Sequence, residues 1–214
     1  MTGSAAFRLM LVTDRTLVPL TRLPDAVAAA VEGGVDAVQV RERALSHREM
    51  REMGQALRSA ISGRARLIVN GTRQMAEVYG ADGLHLPELA PEVAPAERVG
   101  LMVGRSVHSL EAAIRAQAEG CDYVVLGTIF QSRSHEGGPT GGLELVHNVC
   151  SAVHIPVIGI GGITAGNAGD VIRAGASGVA VISAILGGDE PAVAARALRS
   201  EVEAALAAGA AKRA

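Results

Sequence analysis

Two turns, each directly after an apolar strand, are the first places in this sequence that could bind a ligand. Residues 155–163, IPVIGIGGI, read as a buried strand that runs into a turn containing Gly161 and Gly162. Bare backbone N–H groups between a strand and a helix favour an anion. A second apolar strand ends at Ile182 and Ser183, about 20 residues later. The pair predicts one phosphate held between the two turns, although either turn alone is more typical of a tight barrel turn.

Three hydrogen-bond donors follow another apolar segment. Gln39, Arg41 and Arg43 alternate along the chain, so an extended backbone places all three side chains on one side. Two guanidinium groups in one place suit a carboxylate or a phosphate. The alternative is a solvated salt-bridge cluster with Glu42.

Two histidines stand at or near strand ends. His108 follows Ser106 by two residues, and histidine is the usual acid or base in enzymes. The alternative for His108 is a loop histidine without a role. His85 alternates with Leu84 and Leu86, so we expect it to be a hydrogen-bonded core residue.

A long polar loop covers residues 131–142. It contains Ser132, Ser134 and His135 together with several glycines. Loops of this length within a compact domain are often lids. We therefore expect a mobile lid over an anionic ligand.

The elements that would position these groups alternate regularly. A helix-ending glycine, one residue, an Asp or Ser and a strand recur four times, at residues 34–40, 80–86, 120–126 and 175–181. Four other apolar runs lie between them, so eight short strands alternate with helical patterns. The sequence predicts a single (β/α)8 TIM-barrel domain over residues 1–214, with a frayed tail from about residue 207. A doubly wound open sheet would not account for the fourfold recurrence.

Helix signals and composition agree with this class. Ser46 and Glu49 form a predicted capping box, and Ser109 a predicted helix cap. Hydrophobic residues make up 49% of the chain, aromatic residues only 2%, and the net charge is −2, which argues against nucleic-acid partners. Cys121 and Cys150 follow no metal or redox spacing and suit reduced thiols of a cytoplasmic protein. We expect no membrane segment, no metal and no cofactor, while a homo-oligomer is compatible with the sequence.

Motifs at successive strand ends occur in one order along nearly the whole chain. They are Thr13-Asp14, Gln39-x-Arg41-x-Arg43, Asn70, residues 83–88 (GLHLPE), residues 104–108 (GRSVH), Asp122-Tyr123, residues 161–163 (GGI) and residues 180–183 (AVIS). As a set they resemble the thiamine phosphate synthase superfamily. One branch of that superfamily joins a pyrimidine diphosphate to a thiazole phosphate with magnesium. The other branch, the TenI-type thiazole tautomerases, aromatises a thiazole carboxylate phosphate tautomer.

The resemblance favours the tautomerase branch. The synthase pattern has an aspartate where this chain has Gly71, and a second aspartate where it has Ala90. It also has a lysine at the position of Arg43 and a Thr-x-Thr-Lys loop at residues 132–135. Without magnesium, a leaving diphosphate loses electrostatic support. The GRSVH segment, in contrast, matches the tautomerase signature.

By this resemblance we expect a metal-independent thiazole tautomerase acting on a phosphorylated thiazole. The implied roles are proton transfer by His108, carboxylate binding by Arg41 or Arg43 beside Gln39, ring contacts from Asn70 and Ser106, and phosphate binding by Gly161, Gly162, Ile182 and Ser183. Two alternatives remain. One is a thiamine phosphate synthase that tolerates the lost ligands, and the other is a non-catalytic regulatory protein that binds a phosphorylated ligand.

Overall fold

Eight parallel strands close into a barrel in the computed structural model, which describes residues 7–42, 45–92, 99–131 and 138–211. The strands are β1 (Leu9–Val12), β2 (Ala37–Val40), β3 (Arg66–Asn70), β4 (Gly83–Leu86), β5 (Met102–Val107), β6 (Tyr123–Leu126), β7 (Val157–Ile160) and β8 (Gly178–Val181). The helices in these ranges are α1 (Leu23–Glu32), α2 (His47–Ile61), α3 (Arg73–Tyr79), α4 (Leu110–Ala118), α5 (Gly142–Ala152), α6 (Ala165–Arg173), α7 (Ser183–Leu186) and α8 (Pro191–Ala211). Each strand pairs in parallel with its neighbour in the chain, and β8 pairs with β1. The predicted (β/α)8 barrel is confirmed.

The strands carry two separate layers of apolar side chains. One layer fills the barrel interior with residues such as Met10, Ile68 and Ile158. The other layer, which includes Val38 and Val40, packs between the strands and the surrounding helices. Since both faces of each strand are covered, the strands read as short continuous apolar runs. Polar residues that interrupt the inner face therefore need a specific partner or a ligand.

The aspartates of the fourfold recurrence cap strand starts at the N-terminal end of the barrel. Each one precedes an even-numbered strand, and its carboxylate accepts the backbone N–H of a residue at the start of the preceding odd-numbered strand. The pairs are Asp36 with Leu9 at 3.0 Å, Asp82 with Leu67 at 2.8 Å and Asp122 with Val103 at 2.7 Å. The recurring aspartates thus stabilise the N-terminal end of the barrel, whereas active sites of such folds lie at the C-terminal end of the strands.

Local helix signals are also confirmed, with differences at the ends of some elements. Ser46 accepts the N–H of Glu49, and the Glu49 carboxylate accepts the N–H of Ser46, so the capping box starts α2 as predicted. Strand β5 continues to Val107, so Ser106 lies within the strand and His108 follows directly after it. Helix α8 continues to Ala211, so residues 207–211, expected to fray, are helical. They extend the hydrogen-bonded backbone of a long helix whose buried stripe ends at Ala205.

The two cysteines are free thiols, with Cys121 buried and Cys150 partly buried. Burial raises the pKa of the Cys150 thiol to about 11. In the described ranges, none of the helices is both long and apolar enough to cross a bilayer.

Candidate active site

A cavity of about 960 Å³ opens among the C-terminal ends of the strands. The structure brings nine of the predicted site residues together around it. They are Gln39, Arg41, Asn70, Ser106, His108, Gly161, Gly162, Ile182 and Ser183. The other four, Arg43, Ser132, Ser134 and His135, lie outside the described residues, and with them the central part of the expected lid. The cavity volume is within the range of small-molecule sites, so one or two small ligands fit.

The two glycines after β7 form one wall of the cavity. Gly161 has φ +106° and Gly162 has φ +61°, both in the region that favours glycine. The turn is fixed from both sides, because the N–H of Phe130 donates to the Gly161 carbonyl at 3.0 Å and the Asn167 amide donates to the Gly162 carbonyl at 3.1 Å. With the carbonyls engaged, the N–H of Gly162 has no acceptor within the described ranges. The Gly162 N–H, unengaged in that part of the chain, is thus an available backbone donor on this wall of the cavity, next to the start of α7 at Ser183.

The end of β2 supplies the cationic wall. Gln39 is buried inside the barrel, and its amide lies 3.7 Å from the Met10 sulfur. Arg41 is exposed at the cavity mouth, and its backbone N–H donates to the buried Thr13 hydroxyl at 3.0 Å. Glu42 is buried rather than solvated, and its Oε1 has no partner among the described residues. The geometry therefore does not support the alternative of a solvated salt-bridge cluster.

His108 is paired with a carboxylate that sequence reasoning did not identify. The Glu88 Oε2 lies 2.5 Å from Nδ1 of His108, and both side chains line the cavity. The pair orients the ring and leaves Nε2 for a ligand. The sequence did contain a signal for this pair. Glu88 follows the end of β4 and His108 follows the end of β5, and these two strands are neighbours in any barrel with this strand order.

His85 is a buried, hydrogen-bonded residue, as expected, yet it also borders the cavity. Its Nε2 lies 2.8 Å from the Ser106 hydroxyl, and its Nδ1 lies 3.4 Å from the Tyr123 hydroxyl. Burial, with smaller effects from the charges of Arg105 and Arg41, lowers the pKa of His85 to about 3. This imidazole is therefore neutral at every physiological pH.

The positions that carry magnesium ligands in the synthase pattern do not fit a metal ion here. A side chain at Gly71 would place its Cβ 2.5 Å from the Met75 sulfur, so Met75 occupies the space of the first carboxylate. At the second position, the Ala90 carbonyl is already engaged, because it accepts a hydrogen bond at 2.7 Å from the buried guanidinium of Arg105, which also pairs with Glu119 at 3.0 Å. Nowhere in the described ranges do three His, Cys, Asp or Glu side chains form a metal-binding group.

A closed parallel barrel with a cavity at the C-terminal ends of its strands, lined by two glycines and an arginine, defines the class as a (β/α)8 protein with a small-molecule-sized site. Residues 9–185 match the family model described as thiamine monophosphate synthase, and the chain belongs to that family. It is similar to the thiamine-phosphate synthase of Methanoculleus marisnigri, at 41% identity over 95% of this chain and 99% of the relative. It is also similar to that of Pyrococcus furiosus, at 38% identity over 92% and 95% of the two chains.

Solved structures agree. Thiamine phosphate pyrophosphorylase from Pyrococcus furiosus superposes with a TM-score of 0.83 at 35% identity, over 94% of this chain and 98% of that one. A 3-hexulose-6-phosphate synthase, at 19% identity and a TM-score of 0.71, shares the fold alone. The protein is therefore an enzyme of thiamine biosynthesis, and the predicted superfamily is confirmed.

The expectation of a tautomerase is wrong. It gave most weight to the GRSVH segment and to the two positions without carboxylates, which are local features. Over nine tenths of the chain, the similarity is to proteins named thiamine-phosphate synthase. Similarity over the whole chain reflects the complete set of core and cavity positions, so it outweighs a five-residue motif.

Proposed function

We propose that this protein is a thiamine phosphate synthase, a transferase that joins a pyrimidine diphosphate to a thiazole phosphate. The observation that carries the proposal is the match to a named synthase at 41% identity over 95% of this chain and 99% of the relative. This is the transferase that the sequence left as an alternative.

The cavity supports a reaction between two phosphorylated partners. Its volume of about 960 Å³ accommodates two small ring systems side by side. We assign the thiazole phosphate to the wall formed by Gly161 and Gly162, where backbone N–H groups meet an anion. We assign the diphosphate to the opposite side, next to Arg41, because a guanidinium binds phosphate oxygens in pairs.

Negative charge develops on the leaving diphosphate as the two rings are joined, and fixed positive groups stabilise that charge. Arg41 supplies one such group at the cavity mouth. Gln39 and Asn70 line the same side and contribute neutral donors to the substrates. His108, oriented by Glu88, lies where it can donate to the diphosphate or accept a proton from a substrate.

The test is a coupling assay with both substrates, in which thiamine phosphate is separated and quantified. It is run in parallel with added magnesium and with a chelator, because the residues at positions 71 and 90 supply no carboxylates. We expect product from the wild type and a strong loss in Arg41→Gln. The matched control is Arg48→Gln, since the Arg48 side chain is 83% exposed on α2 and does not line the cavity.

Absence of product in every arm, with both substrates still bound, would refute the transferase and leave a binding protein. Product formation unaffected by Arg41→Gln would refute the assigned diphosphate side but not the activity.

A further inference from the structure

Three polar side chains from adjacent strands form a hydrogen-bonded chain inside a largely apolar barrel. They are His85 on β4, Ser106 on β5 and Tyr123 on β6. The barrel is built to hold the largest of them, because a Cβ at Gly104 would overlap the Tyr123 ring. Phe7 packs edge-on against the other side of that ring, with centroids 5.3 Å apart. The chain runs from the deep interior to the cavity, which His85 and Ser106 border.

The direction of the first hydrogen bond follows from burial. Tyr123 is fully buried, and burial, with smaller effects from Asp122 and Cys121, raises the pKa of its hydroxyl, so the phenol keeps its proton. A buried hydroxyl needs an acceptor for that proton. Within the described ranges the acceptor is Nδ1 of His85, at 3.4 Å. Tyr123 therefore donates and Nδ1 accepts.

The second hydrogen bond is then determined. His85 is neutral because burial and two nearby arginines lower its pKa to about 3, so its ring carries one proton. Since Nδ1 accepts, that proton lies on Nε2, which donates to the Ser106 oxygen at 2.8 Å. A hydroxyl oxygen that accepts this bond keeps its own proton for another partner. Ser106 borders the cavity, where a ligand is available to take that proton.

We propose that His85 and Tyr123 are positioning residues that fix the Ser106 hydroxyl as a hydrogen-bond donor into the cavity. The ligand atom that meets Ser106 is thus an acceptor, of the class of a phosphate oxygen or an unprotonated ring nitrogen. The identity of the ligand rests on the proposed function, but the direction of the hydrogen bonds does not. The role of His85 is distinct from proton transfer, because an imidazole held in one neutral form cannot exchange protons with a substrate at neutral pH.

The direct test is nitrogen NMR of protein labelled in histidine, with the His85 signals assigned by comparison with a His85→Gln sample. We expect a proton on Nε2, an unprotonated Nδ1 and no titration between about pH 5 and pH 8. In Tyr123→Phe the donor to Nδ1 is lost, and we expect the preference for one tautomer to weaken. A proton on Nδ1, or titration of His85 in that range, would overturn the proposal.

Binding measurements supply an independent test, with thiazole phosphate and inorganic diphosphate as the probes. Ser106→Ala removes the donor and is expected to weaken one of the two probes about tenfold, as for a hydrogen bond to a charged group. His85→Leu should cause a similar loss, because the Ser106 hydroxyl is then free to turn away. His85→Gln retains an amide donor near the position of Nε2 and should restore binding to within about threefold of wild type.

The double variant Ser106→Ala/His85→Leu separates positioning from a general structural effect. If His85 acts through Ser106, His85→Leu adds no further loss in the absence of that hydroxyl. Independent, multiplicative losses would refute the positioning role. If His85→Leu does not fold, the same cycle is run with Tyr123→Phe. If neither probe binds the wild type, the proposed function fails, and the tautomer measurement alone decides the inference.

Discussion

The turn after β7 gives the sharpest prediction about ligand binding. Gly162→Ala places a methyl group where it would overlap the backbone carbonyl oxygen of Gln131 and come within 2.9 Å of the Phe130 Cβ. The residue also has φ +61°, a left-handed conformation that an L-residue adopts only at a cost. Because the overlapping atom belongs to the backbone of the neighbouring loop, no side-chain rotation relieves it.

The magnitude follows from these two effects. The left-handed conformation costs alanine about 1 kcal/mol, and forcing a methyl group into a packed site costs about 1–3 kcal/mol more. The turn lies at the cavity rim, so it relaxes more easily than the barrel beneath it. In the variant, phosphate binding must return the relaxed turn to its original geometry. This costs at least about 2 kcal/mol of binding free energy, which corresponds to about a 30-fold loss of affinity.

The assay is titration calorimetry with thiazole phosphate, accompanied by thermal unfolding to confirm that the variant is folded. Gly188→Ala is the matched control, because Gly188 follows α7, has no positive φ and has no atom within 4 Å of an added Cβ. We expect the control to bind like wild type. A folded Gly162→Ala protein whose affinity stays within about threefold of wild type would refute the assignment of the phosphate to this turn.

Three further predictions concern the cationic wall, the barrel base and the barrel interior. Arg41→Gln removes a guanidinium from the cavity and should weaken diphosphate binding about tenfold or more by calorimetry, whereas Arg48→Gln should not change it. Burial alone would raise the pKa of Asp82, but hydrogen bonds from the Arg58 side chain and from a strand N–H outweigh burial and lower it. The charged carboxylate therefore stabilises the fold above the unfolded-state pKa of about 3.9, and this stabilisation is lost as the pH falls below that value. Asp82→Asn should therefore be less stable by about 1.5 kcal/mol in urea at neutral pH, with the difference shrinking below about pH 4, and a constant difference would contradict this reasoning. Gly104→Ala overlaps the buried aromatic ring on β6 and should lower the melting temperature by about 6–12 °C, so an unchanged value would contradict the packing argument.

Sequence and structure agree best where the determining interactions are local or periodic. The apolar strands, the capping box of α2 and the glycine turn at Gly161 and Gly162 follow from the preferences of adjacent residues. Strand alternation also placed Gln39 and Arg41 correctly at the cavity, because side chains in a strand point to opposite faces in turn. The choice between two related activities failed because it depended on a short motif and on two positions that lack a carboxylate.

The sequence by itself determined the barrel, its order of strands and the end at which the candidate site residues gather, since hydrophobic periodicity and turn chemistry are properties of neighbouring residues. Only the tertiary structure decided which polar groups meet. Glu88 reaches His108 across 20 residues of sequence, and Tyr123 reaches His85 across 38. These contacts depend on the register between adjacent strands and on the space left by glycines such as Gly104, which barrel closure fixes to within an ångström. A hydrogen bond requires that accuracy, whereas a fold class does not.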